Sequence, residues 1–274
     1  MSDRRFRFGV VAAPDRGPEQ WQATAARVAE LGYSTLLMPD GLQLLSPFAS
    51  LAIAAASVPD LRVGTFVAAA PLRPALGAAW DAHTLSLLTG GRFDFGIGTG
   101  RDAVREFTRE LGLPFGTAAE RLAQVDDTID HLRTLDGDLH TPVLMAAGGP
   151  RSRALAAAKA DIVTLAAGAL TSRTEMKEMV QDLLAKAGDR ADQIEIAMNL
   201  GVVGDEVPPW MRQFLAADPA TMAEHDSMVL LRGSVQEMAD ELQRRRDDFG
   251  VSYVSTSAGF SEQLAPVVEK LNGR

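Results

Sequence analysis

The chain has 274 residues, 46% hydrophobic and 23% charged, which is enough apolar content for a sizeable core and too much for a disordered or fibrous chain. Thirty-six acidic residues against 27 Lys and Arg give a net charge of -9, which excludes a general nucleic-acid binder, because such a protein needs a basic footprint to displace counterions. With no cysteine, disulfides, thiolate metal sites and cysteine nucleophiles are excluded together; His83, His131, His140 and His225 lack ligand spacing, so no metal site is expected.

In chain order, the first basic residues lack the apolar run of a signal peptide. Residues 6–12 then read as a strand, and a helix opens at Pro18 with Trp21, Ala25, Val28 and Leu31 on one face, stopped by Gly32. Residues 34–38 are expected as a strand. The uncharged stretch 41–59 reads as a buried helix from Pro47 rather than a membrane span, so a cytoplasmic protein without membrane contact is expected. A strand at 61–67, a helix at 74–88 and a strand at 93–97 follow. Thr117 to Glu120, Ser172 to Glu175 and Ser234 to Glu237 are capping boxes, opening helices to about 135, 187 and 249. Between and after them, strands are expected at 142–146, 161–166, 194–202 and 251–256, with helices at 150–159 and 261–271. Eight strands, each followed by a helix and several lacking a polar face, predict an α/β fold: a single-domain (β/α)8 TIM barrel over residues 1–274. Residues 204–232 exceed what one connection needs and form a candidate lid.

Chemistry in such barrels sits at the C-terminal strand ends. There, Asp40 follows the second strand as a candidate ring or substrate contact, or as a turn cap. Gly98-Thr99-Gly100-Arg101-Asp102-Ala103 fits a dinucleotide fingerprint, but the region about 20 residues on is helical, so the Rossmann reading fails. Its glycines instead keep the barrel top low for a flat ring. Ala147-Gly148-Gly149-Pro150 joins a strand to a helix start and is a candidate phosphate site; its glycines are expected to allow close approach or a positive φ, and a plain turn is the alternative. Arg151 and Arg153 are anion ligands or solvated charges. All four lysines lie in helical stretches, which argues against a Schiff-base aldolase.

The ordered set Gly64-Thr65-Phe66-Val67, Pro71-Leu72-Arg73-Pro74-Ala75, Thr84 to Phe93, Gly96 to Gly100, Glu106-Phe107, Leu111 to Phe115, Glu120-Arg121-Leu122 and Ala147 to Arg151 resembles the bacterial luciferase-like monooxygenase superfamily, nearest its F-420-dependent oxidoreductases. The resemblance implies a barrel that binds coenzyme F-420, a deazaflavin, or alternatively FMN. It also implies a cis peptide between Phe66 and Val67 whose bulge backs the ring, with Asp40 beside the ring, Thr99 and Gly100 lining the pocket, and Ala147, Gly148 and Gly149 at the phosphate. Two departures stand out: Gly41 replaces a usual histidine, and Arg101 replaces a glutamate. The function implied is hydride transfer between F-420 and a small organic substrate, with Asp40 and Arg101 as candidate catalytic residues. An FMN-dependent monooxygenase and a non-catalytic cofactor-binding paralogue are the alternatives. A small-molecule substrate is the expected partner, and a homodimer is left open.

Overall fold

The computed structural model describes residues 4–15 and 17–274; residues 1–3, on which part of the signal-peptide reading fell, lie outside them. Eight parallel strands close into one barrel: β1 Arg7–Val11, β2 Thr35–Met38, β3 Arg62–Thr65, β4 Phe93–Gly98, β5 Val143–Ala147, β6 Ile162–Leu165, β7 Glu195–Leu200 and β8 Val251–Ser257. Neighbours pair in sequence order, and β8 returns to β1 with Arg7 opposite Tyr253 and Gly9 opposite Ser255. The C-terminus is tied to the same edge, where Phe6 N–H donates to the Arg274 carbonyl.

Most of the helices form where the sequence signals placed them. They are α1 Pro18–Glu30, α2 Pro47–Ser57, α3 Ala75–Leu88, α4 Val104–Glu110, α5 Ala118–Asp136, α6 Pro150–Lys159, α7 Arg173–Ala187, α8 Pro219–Glu224, α9 Val235–Phe249 and α10 Ser261–Leu271. The capping boxes at Thr117, Ser172 and Ser234 are all formed, each hydroxyl accepting from the N–H of the glutamate three residues on. Helix α4 has no counterpart in the sequence reading. Helix α2 is buried on one face only: Phe48, Leu51, Ala54 and Ala55 are covered while Ile53 is 43% exposed. Among the described residues no helix is long and apolar enough to cross a membrane.

Strand alternation sorts the interior from the helix-facing side. Leu36, Val143, Met145, Val163, Ile196 and Val254 pack under the helices. Leu37, Leu144, Ile162, Ala197 and Tyr253 form a separate apolar cluster, to which Val11, Phe66 and Val67 add. This second cluster fills the barrel. Below it, at the N-terminal strand ends, lies a charged plug: Arg7 donates to Asp94 at 2.9 Å and to Glu195 at 2.7 Å, Arg62 donates to Asp94, and the Arg7 guanidinium stacks 3.6 Å from the Tyr253 ring centre. The plug closes the bottom, and the C-terminal end is lined by partly exposed apolar side chains, Val11, Phe66 and Val67 among them.

Residues 204–232 contain a 3-10 turn, Pro209–Phe214, and α8. They return along Leu230–Leu231, which pairs in parallel with Val202–Val203 just beyond β7. The Met228 N–H donates to the Thr171 carbonyl, and the Ser227 hydroxyl to the Ala169 carbonyl, so the segment is fastened to the loop after β6.

Candidate active site at the barrel mouth

The mouth is built from strand ends. After Thr65 the chain bulges through Phe66 and Val67, whose peptide bond is cis, as the resemblance implied, and resumes pairing at Ala68–Ala69. The register runs from Gly64 opposite Asp94 to Ala68 opposite Ile97, so the β3 side advances by one residue more than β4. That extra residue pushes Phe66 and Val67, both half-buried, up against the interior cluster as an apolar floor. Glycines opposite make room for it. A Cβ on Gly98 would stand 2.9 Å from a Val67 methyl, and one on Gly96 would overlap the Thr65 carbonyl.

Asp40 is spoken for. Its Oδ2 accepts from the Ala69 N–H at 3.0 Å and from Arg73, whose second guanidinium nitrogen reaches Oδ1 at 3.0 Å. The carboxylate side chain is nearly buried and clamps the end of β2 to the segment after the bulge. Helix α5 buttresses the same segment: Gln124 donates to the carbonyls of Ala70 and Arg73 at 2.7 and 2.8 Å, and Arg121 donates to the Thr99 carbonyl at 2.9 Å. Gly100 has φ +75 beside Pro71, a left-handed conformation that suits glycine. The structure thus brings Asp40, Phe66, Val67, Thr99 and Gly100 into one arc over β2 to β4. Arg101 follows in the same loop but is exposed, and its side chain has no partner among the described residues.

The arc continues into β5. Ala147 is buried, and Gly148 and Gly149 are exposed at the start of α6. The expected positive φ is absent: Gly149 is extended at φ -93, and Gly148 is not among the positive-φ glycines. The physical reason is Pro150 at the first helical position, which favours an extended residue before it. A Cβ on Gly149 would meet nothing within 4 Å, so the turn faces open space. The Gly149 N–H donates to Ser152 Oγ at 3.1 Å. Arg153 is a structural charge: it donates to Asp182 at 2.6 Å and to the Gly148 carbonyl. With Thr171, Glu175 and Asp182 it lines a cavity of about 480 Å³ beside the turn, off the barrel axis.

Three features of the mouth went unread in the sequence. Arg73 and Gln124 hold the floor in place. Asn199, the third inward position of β7 after Glu195 and Ala197, is partly exposed at the mouth, and its Oδ1 accepts from the Ser255 hydroxyl at 3.0 Å. A lone amide in the apolar run Ile196-Ala197-Met198-Asn199-Leu200, in step with the inward positions, was the available signal.

Comparison with known proteins places this mouth in a family. A family model described as luciferase-like monooxygenase matches residues 6–209. Among solved structures, the coenzyme F-420-dependent tetrahydromethanopterin reductase from Methanopyrus kandleri superposes with TM-score 0.75 at 16% identity, covering 98% of this chain and 99% of that one. A long-chain alkane monooxygenase gives 0.73 at 12%, covering 98% and 92%. An F-420-dependent secondary alcohol dehydrogenase solved with an F-420–acetone adduct gives 0.69 at 16%, covering 96% and 99%. No curated protein matches the chain. At these identities the superpositions establish the fold, and the family model, spanning most of the chain, establishes membership: the chain belongs to the luciferase-like monooxygenase family.

Proposed function

We propose that the protein is an oxidoreductase that holds coenzyme F-420 across the barrel mouth and acts on a small organic substrate. The observation that carries this reading is the mouth itself: an apolar floor at Phe66 and Val67, a side-chain-poor rim at Gly98 and Gly100, and an exposed Gly148-Gly149 turn at a helix start. The residues fit the group. A flat ring needs a floor without protruding side chains, and a phosphate needs N–H groups at the positive end of a helix dipole, here Gly148, Arg151 and Ser152. When bound, the deazaflavin supplies a carbon that gives or takes a hydride.

The chain supplies position. Asp40 acts through Arg73 and Ala69 to keep the floor at its height, which makes it a positioning residue. Phe66 and Val67 exclude water from beneath the ring. Exposed Arg101 is placed to meet an anionic group of the cofactor over the rim. Residues 204–232, fastened to the loop after β6, serve in this reading as the lid over the substrate. Fluorescence titration with F-420 and with FMN tests the reading: F-420 should bind at micromolar concentrations and FMN more weakly. Binding of FMN alone would shift the assignment to a flavin monooxygenase, and binding of neither would overturn it.

A homodimer belongs to the same proposal. Leu76, Trp80 and Leu87 form an exposed stripe on α3 (55%, 66% and 61%), beside Ile53 on α2, whose sequence carries no charge. A second copy fits this face, because a net charge of -9 repels copies elsewhere and this face has little charge to repel. Sedimentation should show a dimer for the parent and a monomer for the Trp80→Lys, Leu87→Lys double variant; a parent monomer at tens of micromolar would sink it.

A further inference from the structure

The inward-facing mouth residues divide into two sides. Val11, Phe66, Val67, Gly98 and Ala146 are apolar, whereas Thr164, Asn199 and Ser255 on β6, β7 and β8 are polar. Around the closed barrel, β7 lies four strands from β3 in either direction, so Asn199 stands diametrically across from the Phe66–Val67 floor. A ring standing with one face against the Phe66–Val67 bulge therefore turns its free face toward Asn199. Ser255, buried at 3% exposure, donates its hydroxyl to Asn199 Oδ1, which fixes the amide orientation. The carbonyl end is occupied, and the NH₂ end makes no hydrogen bond with a described residue while the side chain remains partly exposed.

We infer that Asn199, oriented by Ser255, is a substrate-binding residue that donates a hydrogen bond to a carbonyl oxygen of a neutral substrate. The NH₂ can only donate, and with Asn199 Oδ1 already accepting from Ser255, a carbonyl oxygen, which has no proton of its own to place, is the acceptor that suits it. Neutrality follows from the lining: the inward mouth residues named above carry no charge, and the Asp40 carboxylate is consumed by Arg73. Asn199 lies on a strand rather than a loop, so its donor is held on a rigid element.

The inference rests on the proposed ring position, and it can fail separately from it. Cyclohexanone and methylenecyclohexane have the same shape, and only the ketone accepts a hydrogen bond. Ligand-observed NMR titration of both probes against the protein, alone and with saturating F-420, should show a ketone preference of roughly five- to tenfold, the worth of one neutral hydrogen bond. Asn199→Leu should abolish the preference while leaving the hydrocarbon affinity and F-420 affinity within about twofold. Ser255→Ala, which frees the amide to rotate, should reduce the preference without abolishing it. No preference in the parent, an undiminished preference in Asn199→Leu, or equal weakening of both probes would overturn the inference. A fall in F-420 affinity in Asn199→Leu would assign the donor to the cofactor instead and overturn it as well. Loss of F-420 and FMN binding in the parent bears on the cofactor reading alone, because the ketone preference is also measured without cofactor.

Discussion

Replacing Asp94 by alanine should lower the unfolding free energy by about 3–5 kcal/mol, a large fraction of the ~5–15 kcal/mol typical of a whole domain. The carboxylate is 1% exposed and accepts from Arg7 on β1 and Arg62 on β3. Alanine leaves Arg62 with no ion-pair partner among the described residues and Arg7 with Glu195 only. Both guanidinium side chains are largely covered, at 21% and 30% exposure, so Arg62 loses its compensation and Arg7 half of it, which costs more than the intact pairs contribute. Chemical denaturation at pH 7 would measure the loss, and an unchanged midpoint would show that the plug contributes nothing.

The same residue sets an acid limit. Burial alone would raise the Asp94 pKa, but the adjacent Arg7 and Arg62 guanidinium groups outweigh it and hold the carboxyl below the ordinary aspartate value. Between the folded and unfolded pKa values the unfolded chain binds more protons, so stability rises with pH there. The contribution is therefore complete at neutral pH, declines as pH drops below about 4, and is gone below the folded value. Asp94→Asn should flatten this acid limb as well as lower the plateau.

The sequence disclosed what depends on near neighbours. Capping boxes span three residues, and Gly32 ends α1 within its own turn, so both were readable from local pattern. The bulge was readable through family likeness, because Gly64-Thr65-Phe66-Val67 is contiguous. Contacts closed only by the barrel were hidden: Arg7 meets Glu195 across 188 positions, and Arg73 meets Asp40 across 33. Neither charge has a local feature that names its partner. Helix α4 was hidden for another reason: its seven residues follow a glycine-rich turn and are too short for a periodicity to emerge. The Gly148-Gly149 backbone differed from expectation because Pro150 dictates the residue before it, whereas glycine merely permits a positive φ.

That extended backbone makes Gly149→Val a sharper test of the phosphate site. At φ -93 and ψ 165 a β-branched residue sits without strain, and its Cβ would meet nothing within 4 Å. Replacing glycine also restricts the unfolded chain, so the melting temperature should hold or rise slightly, by up to about 1 kcal/mol of stability. Binding should suffer, because the valine methyls fill the space before the exposed turn through which a phosphate must approach the α6 N-terminus. Loss of two charge-assisted hydrogen bonds at ~1.5–3 kcal/mol each would weaken F-420 or FMN by roughly a hundredfold or more. Riboflavin supplies the control, since it has the flavin ring and no phosphate. Its affinity should be the same for parent and variant, so the parent's preference for FMN over riboflavin should vanish on substitution. A folded Gly149→Val protein that keeps that preference would place the phosphate elsewhere and leave Gly148-Gly149 as a turn.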